Sequence, residues 1–113
     1  MNWKVLENKV QAPNGETVEF QYPIKQAEEV AGVFVVILQV PPKESMTENV
    51  FGISAEGKII WKIERIRETA TDPVDCYVGI VNKGNWVRIG NWNGTVVEVD
   101  LQTGEVLRSK FLK

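Results

Sequence analysis

The feature of this sequence that most restricts its fold is an internal repeat with a period of about 45 to 52 residues. Three stretches each align with a later stretch: residues 24–30 with 76–82, 33–40 with 85–92, and 50–61 with 96–108. The last pair differs by one residue at a turn. Repeats of this length are typical of arrays and propellers, in which each unit buries its apolar face against the next. The sequence therefore predicts two copies of one supersecondary unit.

The amino-acid composition favours β-strands as the content of each unit. The chain has 17 Val and 9 Ile against 5 Leu and 5 Ala. β-branched side chains lose χ1 freedom in a helix and fit a pleated surface. Turn signals such as Asn14-Gly15 separate the short apolar runs. We predict an all-β fold with a single domain over residues 1–113. Its parts are an N-terminal β-hairpin and two four-stranded antiparallel units, over residues 1–23, 24–64 and 76–111.

Residues 24–31 fit two kinds of secondary structure. Pro23 before them and Gly32 after them are the start and stop signals of a short helix. The alternative is an irregular strand that turns at Ala31-Gly32. The strand is favoured because residues 24–30 align with residues 76–82, which have a strand pattern.

Two turns carry a resemblance to a known family. Residues 100–107 read Asp-Leu-Gln-Thr-Gly-Glu-Val-Leu and resemble the Asp-x-x-Thr-Gly-x-x-Leu turn of quinoprotein-type β-propeller blades. Residues 57–61 resemble the Gly-Lys-x-x-Trp that follows that turn. Each copy holds half of the motif, since Ser54 replaces Asp in the first and Arg108 replaces Trp in the second. The resemblance implies a blade-like unit over residues 24–64 and 76–111 and implies no specific function.

Two blades are too few to close a propeller, which typically has four or more. Their apolar faces must therefore be covered in another way. We expect the two four-stranded units to pack as a sandwich or as a flattened barrel, with the N-terminal hairpin covering an edge.

The sequence lacks the residues that several classes of chemistry require. The chain has no His and one Cys, so it has neither the usual catalytic triad nor a thiolate or imidazole zinc site. No Gly-rich segment leads from a strand into a helix, as a phosphate-binding loop would. We therefore predict no enzymatic activity, no metal and no cofactor.

Charge and hydropathy restrict the partners and the compartment. The net charge is −2, from 13 basic and 15 acidic residues, which argues against nucleic acid and anionic membranes as partners. The longest apolar run, residues 30–40, is far below the ~20 residues that span a bilayer. Residues 1–7 contain no apolar leader segment, and a lone Cys76 fits a reducing cytoplasm. We therefore expect a cytoplasmic protein.

One strand carries a candidate binding face. The tripeptide Gly-Asn-Trp occurs twice, ending at Trp86 and Trp92. The even spacing places Trp86, Arg88 and Trp92 on one side of the strand, and Val87 and Ile89 on the core side. Two indoles beside a guanidinium can stack on a planar or sugar ring and donate hydrogen bonds. The other interpretation is that both indoles cover the second side of a central strand, with Arg88 stacked between them, and belong to the core. It is favoured because the equivalent strand, residues 33–40, is apolar on both faces.

Two functions fit this sequence. The favoured one is a non-catalytic intracellular protein-interaction module, whose partner is another protein or a second copy in a homodimer. It rests on the analogy with blade-type repeats and on the absence of catalytic residues. The alternative is a binder of a small ligand or carbohydrate, through the face formed by Trp86, Arg88 and Trp92.

Overall fold

The structure is a computed structural model that describes residues 3–41, 48–63, 77–91 and 94–111. These residues form eleven β-strands in three antiparallel sheets and contain no helix, so the all-β prediction is confirmed. The first sheet contains β1 (Lys4–Leu6), β2 (Lys9–Gln11) and β3 (Thr17–Glu19). The second contains β4 (Ile24–Val30), β5 (Val33–Leu38), β6 (Val50–Ile53) and β7 (Ile59–Lys62). The third contains β8 (Tyr77–Asn82), β9 (Val87–Asn91), β10 (Thr95–Val99) and β11 (Val106–Phe111). Residues 64–76, which include Cys76, lie outside the described residues.

The N-terminal part has one strand more than the predicted hairpin. Glu7 adopts a positive φ of 55°, and the two-residue turn at Glu7-Asn8 folds residues 4–11 back on themselves. β1 therefore pairs with β2, and β2 pairs with β3. Sequence reasoning missed this turn because a non-glycine residue rarely takes the left-handed conformation that it needs.

The second and third sheets repeat each other down to their irregularities. In both, the strands follow one another in chain order across the sheet. A bulge interrupts the pairing of the first two strands, between Ile24 and Gln26 and between Tyr77 and Gly79. A second bulge interrupts the pairing of the last two, between Gly52 and Ile53 and between Glu98 and Val99. Residues 24–30 form a strand, as the repeat predicts.

The register corrects the sequence alignment by one residue in the first half of the repeat. Aligning residues 33–40 with 85–92 places Val36 over Arg88. In the structure, Val35 on β5 lies opposite Gly52 on β6. The residue of the third sheet that corresponds to Gly52 is Glu98, and Arg88 lies opposite it. Arg88 is therefore equivalent to Val35. The correction matters because a shift of one residue moves a side chain to the other face of a strand.

The three sheets stack in chain order, and the second sheet is covered on both faces. One apolar cluster lies between the first and second sheets and includes Val10, Phe34 and Ile53. A larger cluster lies between the second and third sheets and includes Val35, Ile37, Val87 and Ile89. The second and third sheets approach most closely where β4 and β5 lie beside β8. The described strands pack as stacked sheets and close no barrel.

Three polar side chains of the second sheet bond to the backbone of the third. The Gln26 amide donates to the carbonyl of Ile80 over 3.1 Å and accepts from its N–H over 3.0 Å. The Asn49 amide makes the same two bonds with Tyr77, both of 2.9 Å, and also donates to the carbonyl of Leu38. The indole N–H of Trp61 donates to the carbonyl of Leu101 over 2.6 Å. These bonds fix the position of the third sheet on the second.

Candidate binding face on the third sheet

The candidate face is the side of the third sheet that points away from the second sheet. On β9, Val87 and Ile89 are completely buried in the core between the sheets. Arg88, between them, keeps 40% of its side chain exposed on the opposite side. We use the term outer face for the surface formed by Trp86, Arg88, Glu98 and Arg108.

A row of charged residues crosses the outer face. Arg88 on β9 pairs with Glu98 on β10, and Glu98 pairs with Arg108 on β11. The Glu98 carboxylate lies 3.9 Å from the Arg88 guanidinium and 4.0 Å from that of Arg108. Arg108 is 75% exposed. Two guanidinium groups therefore share one carboxylate, which leaves a net positive charge on the row.

Trp86 lies just before β9 and is half-buried. The Arg88 guanidinium carbon is 5.9 Å from the centre of the Trp86 ring, at the outer limit of a cation–π contact. Thus the structure brings together two of the three residues that the sequence indicated. Trp92 lies outside the described residues, so its side chain cannot be placed beside them.

Glu98 and Arg108 are the members of this face that sequence reasoning did not select. A two-residue turn at Asn93-Gly94 would place Arg88 opposite Val99. The structure instead places Arg88 opposite Glu98, so that Val97 and Val99 share the core side with Val87 and Ile89. The alternation of apolar residues in β10 was the signal that could have fixed this register.

The outer face of the third sheet occupies the same positions in the repeat as the face of the second sheet that packs on the third. The residues equivalent to Arg88, Glu98 and Arg108 are Val35, Gly52 and Trp61. Val35 is fully buried, and the Trp61 ring packs against Gly52. At the same three backbone positions, the third sheet therefore carries charge where the second sheet carries an apolar packing surface.

The outer face offers guanidinium donors and an aromatic ring. Guanidinium groups suit carboxylates, phosphates and sugar hydroxyls, and an indole suits flat apolar groups. Among the described residues, no group of three or more His, Cys, Asp or Glu side chains is placed to hold a metal ion.

The described strands form a blade-type β-sheet fold, and among the described residues no sheet covers the outer face. The chain belongs to the family described as a domain of unknown function, DUF7957, whose model matches residues 1–111.

Comparison with solved structures bears out the resemblance to propeller blades. BamB from Moraxella catarrhalis, a quinoprotein-like β-propeller, superimposes on 90% of this chain with a TM-score of 0.57 and 19% sequence identity. The chain spans 29% of the length of that structure. At this identity the likeness shows the fold alone. No curated protein matches the sequence.

No helix among the described residues is long and apolar enough to cross a membrane.

Proposed function

We propose that this chain is a non-catalytic protein-interaction module that binds its partner through the outer face of the third sheet. One observation carries the proposal: the outer face corresponds to the surface by which the second sheet binds the third, yet no described sheet covers it. The same backbone surface already binds a β-sheet once in this molecule. The likeness to blades of a propeller supports a role based on surfaces.

The charge row sets the chemistry of this partner. Arg88 and Arg108 share Glu98 as their counter-ion, and Arg108 is largely exposed. A partner that supplies a carboxylate beside Arg108 would complete the alternation of charge across the face. Charged rims of this kind contribute more to partner choice and association rate than to affinity.

The test compares two matched double variants as bait in native lysate. Arg88→Gln with Arg108→Gln removes two positive charges from the outer face. Lys58→Gln with Lys62→Gln removes two positive charges from exposed residues, one just before β7 and one at its end. We expect the first variant to lose a captured protein that the wild type and the second variant retain, while all three unfold at similar temperatures. Capture that is unchanged in the first variant would overturn the proposal.

A second copy of the chain is one form that this partner can take. Light scattering coupled to size-exclusion chromatography distinguishes a homodimer from a monomer over a range of concentrations. A dimer that dissociates in the Arg88→Gln/Arg108→Gln variant supports self-association through the outer face, and a dimer that persists in it places the contact elsewhere.

A second candidate function is the binding of a small ligand or carbohydrate. It is favoured by one observation, the placement of the Arg88 guanidinium near the Trp86 ring. Titration with a panel of neutral and acidic sugars, followed by tryptophan fluorescence, tests it. A saturable change that is lost in Trp86→Ala supports this candidate, and an unchanged spectrum across the panel contradicts it.

The proposed absence of catalysis and the proposed cytoplasmic location rest on composition. The chain has no His to act as a base near neutral pH, and Cys76 has no second Cys to pair with. A panel of hydrolase substrates tests the first proposal, and turnover that survives re-purification would contradict it. Fractionation of the producing cells tests the second, and recovery outside the cytoplasmic fraction would contradict it.

A further inference from the structure

The first sheet is an incomplete copy of the repeat. The turns β2–β3, β6–β7 and β10–β11 share one hydrogen-bond pattern, in which the residue before the turn donates to the first residue after it and accepts from the turn glycine. In the β2–β3 turn, Ala12 N–H donates to Glu16 O and Gly15 N–H donates to Ala12 O. In the β6–β7 turn, Ser54 N–H donates to Lys58 O and Gly57 N–H donates to Ser54 O. In the β10–β11 turn, Asp100 N–H donates to Glu105 O and Gly104 N–H donates to Asp100 O. β2 and β3 are therefore the third and fourth strands of a unit, and β1 is the second.

Among the described residues, no strand occupies the place of a first strand in this sheet. In the second and third sheets, β4 and β8 occupy that place. In the first sheet β1 is an edge strand, and within residues 3–41, 48–63, 77–91 and 94–111 nothing pairs with its free side. The first sheet thus has three of the four strands of the unit.

The side chain of Val5, on the edge strand β1, is half-exposed. Val5 lies opposite Val10, as Val35 lies opposite Gly52, so Val5 and Val35 are equivalent. Val35 is flanked by Glu28 of β4 and is fully buried. Val5 points to the same side of its sheet but is 44% exposed. The side chain that lies next to a first strand in the second sheet is thus half-exposed in the first sheet, where no described strand lies beside it.

The backbone of Val5 is also free to bond with a new strand. Between β2 and β3, the bonded pairs on either side of Val10 are Asn8 with Phe20 and Ala12 with Glu16. Because bonding alternates along an antiparallel strand, Val10 directs its own N–H and C=O towards β3. Val5, opposite Val10, therefore directs its N–H and C=O away from β2, to the free edge.

Charge indicates what kind of strand fits. Lys4 is equivalent to Phe34, whose neighbour on β4 is Glu29. A strand that paired with β1 as β4 pairs with β5 would therefore place the counterpart of Glu29 opposite Lys4. Opposite charges directly across an antiparallel pair stabilise it. Lys9 on the adjacent strand lies opposite Glu19 of β3, so its charge is matched within the sheet, whereas Lys4 has the neutral Gln11 opposite it.

We propose that the free edge of β1 binds an extended, acidic segment of a partner protein, which adds an antiparallel fourth strand to the first sheet with a carboxylate opposite Lys4. The main chain of Val5 supplies the hydrogen bonds, and its half-exposed side chain is covered by the added strand. This edge is separate from the outer face of the third sheet, so the inference does not depend on that face.

A peptide copied from the chain itself provides the probe. We would titrate the full chain with a capped synthetic peptide of residues 24–30, which contains Glu29, and record amide shifts by NMR. We expect saturable shifts at β1 with a Kd of about 0.1–1 mM, since so short an edge offers few hydrogen bonds. No saturation, or shifts confined to other strands, would overturn the proposal.

Two protein variants make the test specific. Val5→Pro removes the outward N–H without disturbing the bonds to β2, because proline is tolerated on the outward side of an edge strand. We expect it to abolish binding at an unchanged melting temperature. Lys4→Glu should weaken binding about tenfold, and a peptide with Glu29→Lys should restore it. Equal binding by wild type, Val5→Pro and Lys4→Glu would contradict the proposal.

The outer-face variant separates this inference from the proposed function. Arg88→Gln with Arg108→Gln should bind the peptide as the wild type does. Loss of peptide binding in that variant would place the peptide on the third sheet and contradict the site at β1.

Discussion

At the scale of single residues, Trp61 shows how the stack is held together. It is 5% exposed, and its indole N–H donates to Leu101 of the next sheet. The ring lies against Gly52 of its own sheet and Gly104 of the third, where an added Cβ at Gly104 would come within 2.8 Å of it. Both glycines are needed because any side chain there would displace the ring.

Trp61→Phe should lower the free energy of unfolding by about 2–3 kcal/mol. The shorter ring loses contacts in a packed site, and the Leu101 carbonyl loses its donor. Ile60→Ala is the control, since Ile60 is the adjacent residue on β7 and is 40% exposed. It should cost less than about 1 kcal/mol. Urea unfolding checks both, and equal losses would show that the contact between sheets does not depend on Trp61.

Asn49→Asp should destabilise the protein in a pH-dependent manner. Asn49 is fully buried, and its NH₂ group donates to Leu38 and Tyr77 carbonyls. A carboxylate there would face those two carbonyls, so burial and repulsion raise the pKa of the new carboxyl group. The folded state then binds more protons than the unfolded state, and stability falls as pH rises.

The loss should therefore be smallest below pH ~4, where the acid is protonated in both states, and grow as the pH rises. Thermal melts from pH 3 to pH 7 measure it relative to the wild type. Asn82→Asp is the control, because Asn82 is exposed and its side-chain oxygen accepts from Gly84 N–H. A parallel pH profile for the two variants would contradict the argument.

At the scale of elements, the sequence predicts the positions of the strands better than it predicts which residues pair across them. The repeat and the turn residues locate the strands of the second and third sheets to within a few residues. The pairing Arg88–Glu98 was not predictable from the turn alone, because it depends on how many residues the loop after β9 contains. The turn at Glu7 was not predictable either, because Glu7 takes a positive φ although it is not a glycine. Of the candidate site, the opposite orientations of Arg88 and Val87 follow from strand periodicity, whereas the shared counter-ion of Arg88 and Arg108 does not.

The turn between β10 and β11 yields a prediction about local stability. The Asp100 carboxylate accepts the N–H groups of Gln102 and Thr103, over 2.8 and 3.1 Å. Asp100→Ala removes both bonds and should cost about 1–2 kcal/mol. Asp100→Asn keeps an acceptor oxygen and should cost less than about 0.5 kcal/mol. Chemical denaturation measures both, and equal losses would mean that the turn does not depend on the side-chain oxygen.

At the scale of the whole molecule, the sheets form a stack with two different ends. Apolar clusters join the first sheet to the second and the second to the third. The last sheet reuses the backbone positions of the second sheet but replaces its packing residues with charges. In repeat proteins a polar outer surface on the final unit prevents further stacking. We expect Arg88, Glu98 and Arg108 to play this part here, because they form the charged row on the outer face.

Transferring the three packing residues from the second sheet to the third should therefore make the protein self-associate. The triple variant Arg88→Val, Glu98→Gly and Arg108→Trp gives the outer face the residues that occupy its equivalent, Val35, Gly52 and Trp61. An exposed apolar sheet face is a strong drive to association. We expect light scattering to report dimers or larger species that grow with protein concentration. The control variant, Arg88→Lys, Glu98→Asp and Arg108→Lys, keeps the charges and should match the wild type at every concentration. If the triple variant matches it too, these three residues are not what ends the stack.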